Sequence, residues 1–324
     1  MSRPPLTHRL THRWLDRWAS LPSNLKGALW MVGATLAFAV MAALIKHLGQ
    51  GGGGPALHGF EIAFFRALFG LAVLLPFLVP QVAGHRLRIG QWRLHGLRAV
   101  LGSGAMLLFF HAITATELAL AISLSYARTL FLILLAAVFL GEVVRWRRAT
   151  ATVVGFVGVL IVLDPSGDTD PAALAALASA ALVAGAMACI KRLSDSQAPL
   201  VILTLFAVPA VIVSAGPAAL VWAWPSPAQW PLLGLVGGLG SLGQYAVIRA
   251  MQSGEATAVA PFDYTQILFV TVLGLLFFDE TPSANMLLGT AVIIGATLYI
   301  ALREARLKRH ARPPASPPAP PPTP

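Results

Sequence analysis

A single cysteine, Cys189, in 324 residues rules out an intrachain disulfide or a CxxC metal site. Charge is also scarce: Asp, Glu, Lys and Arg make up 11% of the chain, where a soluble globular domain has about 25%. Catalytic signatures are missing as well. There is no HExxH, no GxSxG and no paired-carboxylate motif. The glycine-rich "GQGGGGPA" lacks the GK[ST] that lets a P-loop hold phosphate, so ATP drive is not indicated. It reads as a flexible hairpin. No enzyme, cofactor or metal is therefore expected. The first apolar run, Gly27 to Leu48, has no small-residue cleavage site before its end, so no cleaved signal peptide is expected.

What is present is hydrocarbon. Hydrophobic residues make up 57% of the chain, mean hydropathy is +0.75, and nearly all charges fall between the apolar runs. That is the layout of a polytopic membrane protein. A net charge of +10 would ordinarily raise nucleic acid as a partner. Here the charges sit in short loops and tails, so membrane orientation accounts for them and no nucleic-acid partner is expected. The expected partners are the bilayer and a small molecule, with the chain a monomer or a weak homodimer. Arginine outnumbers lysine and alanine is abundant, as in a GC-rich bacterial genome.

Ten apolar spans are read at 27–48, 60–80, 96–114, 118–140, 149–163, 172–190, 199–221, 231–249, 256–278 and 284–302. A helix of about 20 residues crosses a hydrocarbon core of about 30 Å. Backbone in lipid must bond to itself, so spans of this composition are helices and the fold is expected to be all-α. Basic and non-basic connections alternate along the chain, which places both termini in the cytoplasm of a bacterial inner membrane. Four arginines, Arg86, Arg88, Arg93 and Arg98, are counted to one cytoplasmic connection. Of the 23 Lys and Arg, all but Lys46, Arg66 and Arg128 fit the alternation. The basic N-tail, 1–26, reads as an amphipathic segment on the cytoplasmic leaflet. The C-tail, 303–324, is basic and then proline-rich.

The sequence also repeats. A shift of 138 residues lays Glu117, Tyr126, Phe131 and Glu142 on Glu255, Tyr264, Phe269 and Glu280, and "SYARTLF" on "DYTQILF". "ALIKHL" ending the first span matches "ACIKRL" ending the sixth. Five spans per half is an odd number, so the halves, 27–163 and 172–302, enter the membrane from opposite sides. This is the inverted-repeat arrangement of many secondary transporters.

The segments "SYARTLFLILLAAVFLGE" and "FDYTQILFVTVLGLLFFDE", with "FEIAFFRALFGLAVLLPFL" in the second span, resemble the two EamA repeats of the drug/metabolite transporter superfamily. The resemblance covers about residues 27–302. It implies a ten-helix, 5+5 inverted-repeat carrier with a central cavity, moving amino acids and other small metabolites, often outward. One departure is Asp279, where the first repeat has Gly141.

Six residues are candidates for substrate binding. Arg128 lies roughly 15 Å from either end of its span, too deep to snorkel. It reads as an anion site or as a structural partner of Asp263 or Glu61. Arg66 is nearer the end of its span and reads equally as substrate path or structural pair. Asp263 comes two residues after Pro261, which removes a backbone hydrogen bond; a kink or break there would free carbonyls near Asp263, Tyr264 and Gln266 and line a cavity, the alternative being a cytoplasmic helix end wetted by water. Tyr126 and Tyr264 are repeat-equivalent and read as cavity walls or interior packing. Gln266 is the counterpart of Arg128. Lys46, beside His47, reads as an interfacial anchor, His111 as a solvated helix end, and the glycines at 234–243 as packing faces. The function expected is secondary export of an amino-acid-like, zwitterionic or anionic metabolite by alternating access. Uptake on the same fold, or a non-transporting intramembrane binding or regulatory protein, are the alternatives.

Overall fold

The computed structural model describes residues 21–83, 91–139, 146–164, 170–194, 199–254 and 256–310. The tails' outer parts, Glu142 and Glu255 lie outside them. Every regular element among the described residues is helical. The helices are α1 (Ser23–Gly49), α2 (Gly59–Ala83), α3 (Trp92–Ala115), α4 (Leu118–Ser125), α5 (Arg128–Phe139), α6 (Trp146–Leu163) and α7 (Pro171–Ser194). They continue as α8 (Pro199–Leu220), α9 (Gln229–Ser253), α10 (Ala256–Val259), a 3₁₀ turn (Ala260–Tyr264), α11 (Thr265–Phe278) and α12 (Ala284–His310). Among the described residues, eight helical segments are long and apolar enough to cross a membrane. The chain is thus an all-α, multi-spanning membrane protein.

The described residues of the expected spans are helical, with shifted ends and a turn at Tyr126–Ala127, and over those residues eight of the ten have the length and apolar character to cross. The short fifth span gains Trp146, Arg147 and Arg148 and starts at Trp146. Each of Arg93 and Arg147 lies 5.4 Å from its neighbouring Trp ring, and Trp92 and Trp146 are about 70% exposed. Amphipathic rings at helix ends suit a membrane–water boundary. The outer faces carry large apolar side chains such as Ile212, Leu276 and Phe277, while Thr35, Ser123, Thr290 and Thr297 are buried. A lipid solvent selects that distribution, since backbone and hydroxyl groups find partners only inside. Ser179 donates to the Ala105 carbonyl at 2.8 Å and Thr290 bonds Ser123 at 2.8 Å, joining α7 to α3 and α12 to α4.

The tightest pairings are α1 with α9, α3 with α7, and α6 with α12. α2 packs on α8 and α9, α3 on α8, α5 on α7, and α11 on α1. On α6 and α12, Gly158 and Gly289 let the backbones touch; a Cβ at Gly158 would stand 2.9 Å from the Gly289 carbonyl. On α9 the glycines divide. Gly237, Gly240 and Gly243 pack against Phe69, Arg66 and Phe38, whereas a Cβ at Gly234 or Gly238 would meet nothing within 4 Å. The packing expected of all of them holds for three.

The glycine-rich connection is a fixed turn rather than a flexible hairpin. Gly51 and Gly53 take left-handed backbone, φ 83° and 78°. Ser226 donates to the Gly53 carbonyl at 2.6 Å, and the fully buried Gln229 donates to Pro55 at 2.8 Å. Those partners come from the connection before α9 and from its first residue, some 170 residues away, so the residues 49–56 alone could not reveal them.

Candidate functional site

Two interrupted helices meet at the centre. Between α4 and α5 the chain turns at Tyr126 and Ala127, whose N–H groups bond Ser123 and Leu124 three residues back. Neither Pro nor Gly marks this break. Ser123 and Ser125 return their hydroxyls to the Ala119 and Ile122 carbonyls at 2.6 and 2.7 Å, a local bond that competes with the helix ladder. On the other side Pro261 cannot donate, and residues 260–264 wind as a 3₁₀ turn, as the sequence led one to expect. Under the 138-residue shift Tyr126–Ala127 falls on Tyr264–Thr265, where the 3₁₀ turn passes into α11.

Four of the six candidate residues converge there. Arg128 Nη2 donates to Asp263 Oδ2 at 2.7 Å. The Tyr126 and Tyr264 rings meet edge to face with centroids 5.0 Å apart, and the Arg128 guanidinium lies 5.4 Å from the Tyr126 ring. Tyr264 shares a 2.6 Å hydrogen bond with Thr297 of α12, which in turn donates to the Ile293 carbonyl. Thr35 of α1 bonds Thr265 at 2.8 Å. The ion pair is not sealed: its side chains are 27% and 31% exposed. Gln266, in the first turn of α11, is half-buried and bonds none of the other four among the described residues.

Arg66 stands elsewhere. It extends from α2 to Met106 Sδ on α3, 3.5 Å away. It lines a cavity of about 720 Å³ that shares no lining residue with the Arg128–Asp263 cluster. Glu61 pairs with neither arginine. It is fully buried, and one of its oxygens accepts the Ala223 N–H at 3.2 Å.

Three residues come out differently from the sequence reading. Lys46 is no interfacial anchor: it is 6% exposed, pairs with Glu280, and donates to the Thr116 carbonyl at 2.7 Å. The second Glu280 oxygen accepts the Leu118 N–H at 2.9 Å, so one carboxylate joins α1, α4 and the connection before α12. The partner of Lys46 is 234 residues away, out of reach of local pattern. Arg98, counted as a connection charge, is 6% exposed inside α3, with its guanidinium 4.5 Å from the Phe206 ring. His111 is partly buried, its ring stacked on His58 with centroids 5.2 Å apart. Burial, and next the neighbouring His111, push His58 below the ordinary imidazole value.

Comparison with known proteins agrees with this architecture. The profile of the EamA-like transporter family matches residues 25–164 and 170–302. An S-adenosylmethionine uptake transporter of Rickettsia prowazekii (strain Madrid E) is 30% identical, with 89% of this chain and 96% of that protein aligned. A riboflavin transporter of Brucella anthropi is 29% identical over 87% of this chain and 100% of its own length. A pseudopaline exporter of Pseudomonas aeruginosa is 31% identical over 85% and 95%. One solved structure, 20% identical, superposes with a TM-score of 0.57 over 88% of this chain and 98% of that chain, a likeness of fold.

Proposed function

The chain belongs to the EamA-like transporter family, and from that premise we propose that it is a secondary carrier moving a small zwitterionic or anionic metabolite across the bacterial inner membrane. Its family and relatives are transporters, not enzymes. Ten spans form two inverted halves, 27–163 and 172–302, with the tails 1–26 and 303–324 in the cytoplasm. The helix pairing supports the inverted repeat. Numbering the spans in order, first pairs with eighth as sixth does with third, and second with eighth as seventh does with third. Fifth pairs with tenth and second with seventh, which the exchange of halves leaves unchanged. Rocking of one half against the other then alternates access.

The observation that carries the reading is the Arg128–Asp263 pair. It joins one broken helix from each half, beneath two repeat-equivalent tyrosines, and both partners keep more than a quarter of their side-chain surface exposed. A solute with an acid and an amine can exchange with this pair, its carboxylate on Arg128 and its ammonium on Asp263, with Tyr126 and Tyr264 as walls and Gln266 at the edge. A scaffold pair in hydrocarbon would be dry, since partly solvated ions in a membrane interior mark a path. That exposure favours transport over a purely structural role. The relatives include uptake carriers and an exporter. We carry export forward as the direction in this chain, from the family resemblance.

Proteoliposome flux tests the proposal, with a metabolite panel that begins with S-adenosylmethionine and riboflavin, the solutes named for the relatives. Losing a charge-assisted hydrogen bond of about 1.5–3 kcal/mol predicts at least about a tenfold fall in flux for Arg128→Ala and for Asp263→Asn. Folded variants that carry every accepted solute at the wild-type rate would sink the site assignment. Liposomes loaded inside and outside in turn give the direction.

A further inference from the structure

Two arginines face one cavity between α2, α3, α8 and α9. Its volume, about 720 Å³, is that of a small-molecule site. Arg66 enters from α2 and Arg98 from α3, the latter held over the Phe206 ring of α8. The opposite wall, α9, contributes Ser241, Gln244 and Tyr245, and leaves open space at Gly238.

The charge balance here is the reverse of that at the first site. Arg128 is neutralised by Asp263. Arg66 pairs with no carboxylate among the described residues, and its hydrogen bond goes to a thioether sulfur, a weak acceptor. The guanidinium is held in place even so. Gly240 allows it to lie against α9, where a Cβ would stand 3.1 Å from Nε. A positioned cation inside a membrane span, without a counter-charge and beside open volume, calls for an anion. Phe206, Leu71, Ala207 and Ala210 make the rest of the wall apolar and ring-lined.

We infer that this cavity binds an amphipathic organic anion, with its carboxylate or phosphate ester on Arg66 and a flat apolar body along Phe206 and Gly238. The inference rests on the carrier reading for the role of that anion as cargo, and names acidity as the feature of the cargo that matters. Anionic lipids carry the same acid chemistry, and the test separates the two sources.

The full-length protein in phosphatidylcholine nanodiscs is titrated calorimetrically with 2-naphthoate and with 2-naphthamide, which share a ring system and differ in charge. The acid is expected to bind at least about tenfold tighter than the amide, the worth of a charge-assisted hydrogen bond. Arg66→Gln abolishes that preference and Arg66→Lys keeps it. Gly238→Leu, which retains both cations and fills the open wall, weakens acid and amide together and covers the case in which Arg66→Gln fails to fold. Equal binding of acid and amide by the wild type overturns the inference, as does a folded Arg66→Gln that keeps the preference. Naphthoate binding that vanishes when phosphatidylglycerol is added to the disc assigns the cavity to a lipid headgroup and overturns the metabolite assignment. Failure of the carrier reading looks different: naphthoate binds with its acid preference, and no solute crosses proteoliposomes.

Discussion

At residue 279 the sequence departs from its own repeat, which has Gly141, and the backbone at 279 is one that favours glycine. Asp279 ends α11 in left-handed conformation, φ 54° and ψ 28°, and the next N–H, that of Glu280, bonds back to the Gly274 carbonyl at 3.1 Å. A left-handed C-terminal residue costs an L side chain about 1–2 kcal/mol, least for Asp and Asn. Asp279→Gly should therefore stabilise the protein by up to about 1 kcal/mol, read as a higher Tm in detergent. A lower Tm would mean that the Asp279 carboxylate itself contributes. Gly274 serves a second purpose: a Cβ there would stand 2.9 Å from Glu280 Oε2. His58 makes a pH prediction. Its value is lowered in the folded state, so folding favours the neutral ring. Stability is then full above the ordinary value of 6.5 and falls as pH drops through the lower folded value. His58→Gln should flatten that acid-side fall in a pH series of thermal melts.

At the scale of elements, the interruptions do the positioning, and they were unequally legible. Pro261 announced the break before α11 because a missing N–H is a property of one residue. The break at Tyr126–Ala127 is made by serine back-bonding, which apolar periodicity does not register. Arg128 and Asp263 were recognisable as charges in the wrong place, and Asp263 was one of two partners that fitted; the fold chose it. Lys46 and Arg98 were misread for a common reason. Both lie near the ends of their spans, where sequence position suggests water, and only contacts from distant helices bury them. The Lys46–Glu280 bond makes a latch across α1, α4 and the connection to α12, uniting the two halves at the end poor in basic residues. Under the proposed alternating access, opening from that end would part the latch. Glu280→Gln, which keeps the shape and removes the charge that holds Lys46, should change the flux in proteoliposomes. Unchanged flux through a folded variant would show that the latch plays no part in the cycle.

At the scale of the whole molecule, the span layout was readable because lipid imposes one rule on every segment: apolar outside and hydrogen-bonded within. The inverted relation proposed for the two halves follows from an odd number of spans per repeat, and the symmetric pairing supports it. The glycine turn's fixity and the second cavity were not readable, since both arise between segments far apart in sequence. The proposed orientation has a direct check. Thr281 and Gln252 are exposed at opposite ends of the fold. On a Cys189→Ser background, Thr281→Cys should react with a membrane-impermeant maleimide on intact spheroplasts, and Gln252→Cys only after permeabilisation. The reverse pattern would invert the topology.

The central ion pair also bears on voltage. A lone arginine displaced across the full membrane field would feel about 2.3 kcal/mol per 100 mV. Arg128 lies 2.7 Å from Asp263, so as a pair the two carry no net charge. In the proposed cycle, a carrier returning empty with the pair intact would be neither driven nor braked by the resting potential at this element. The field acts there only on the charge the solute brings, and an electrically silent substrate would make that step blind to membrane potential.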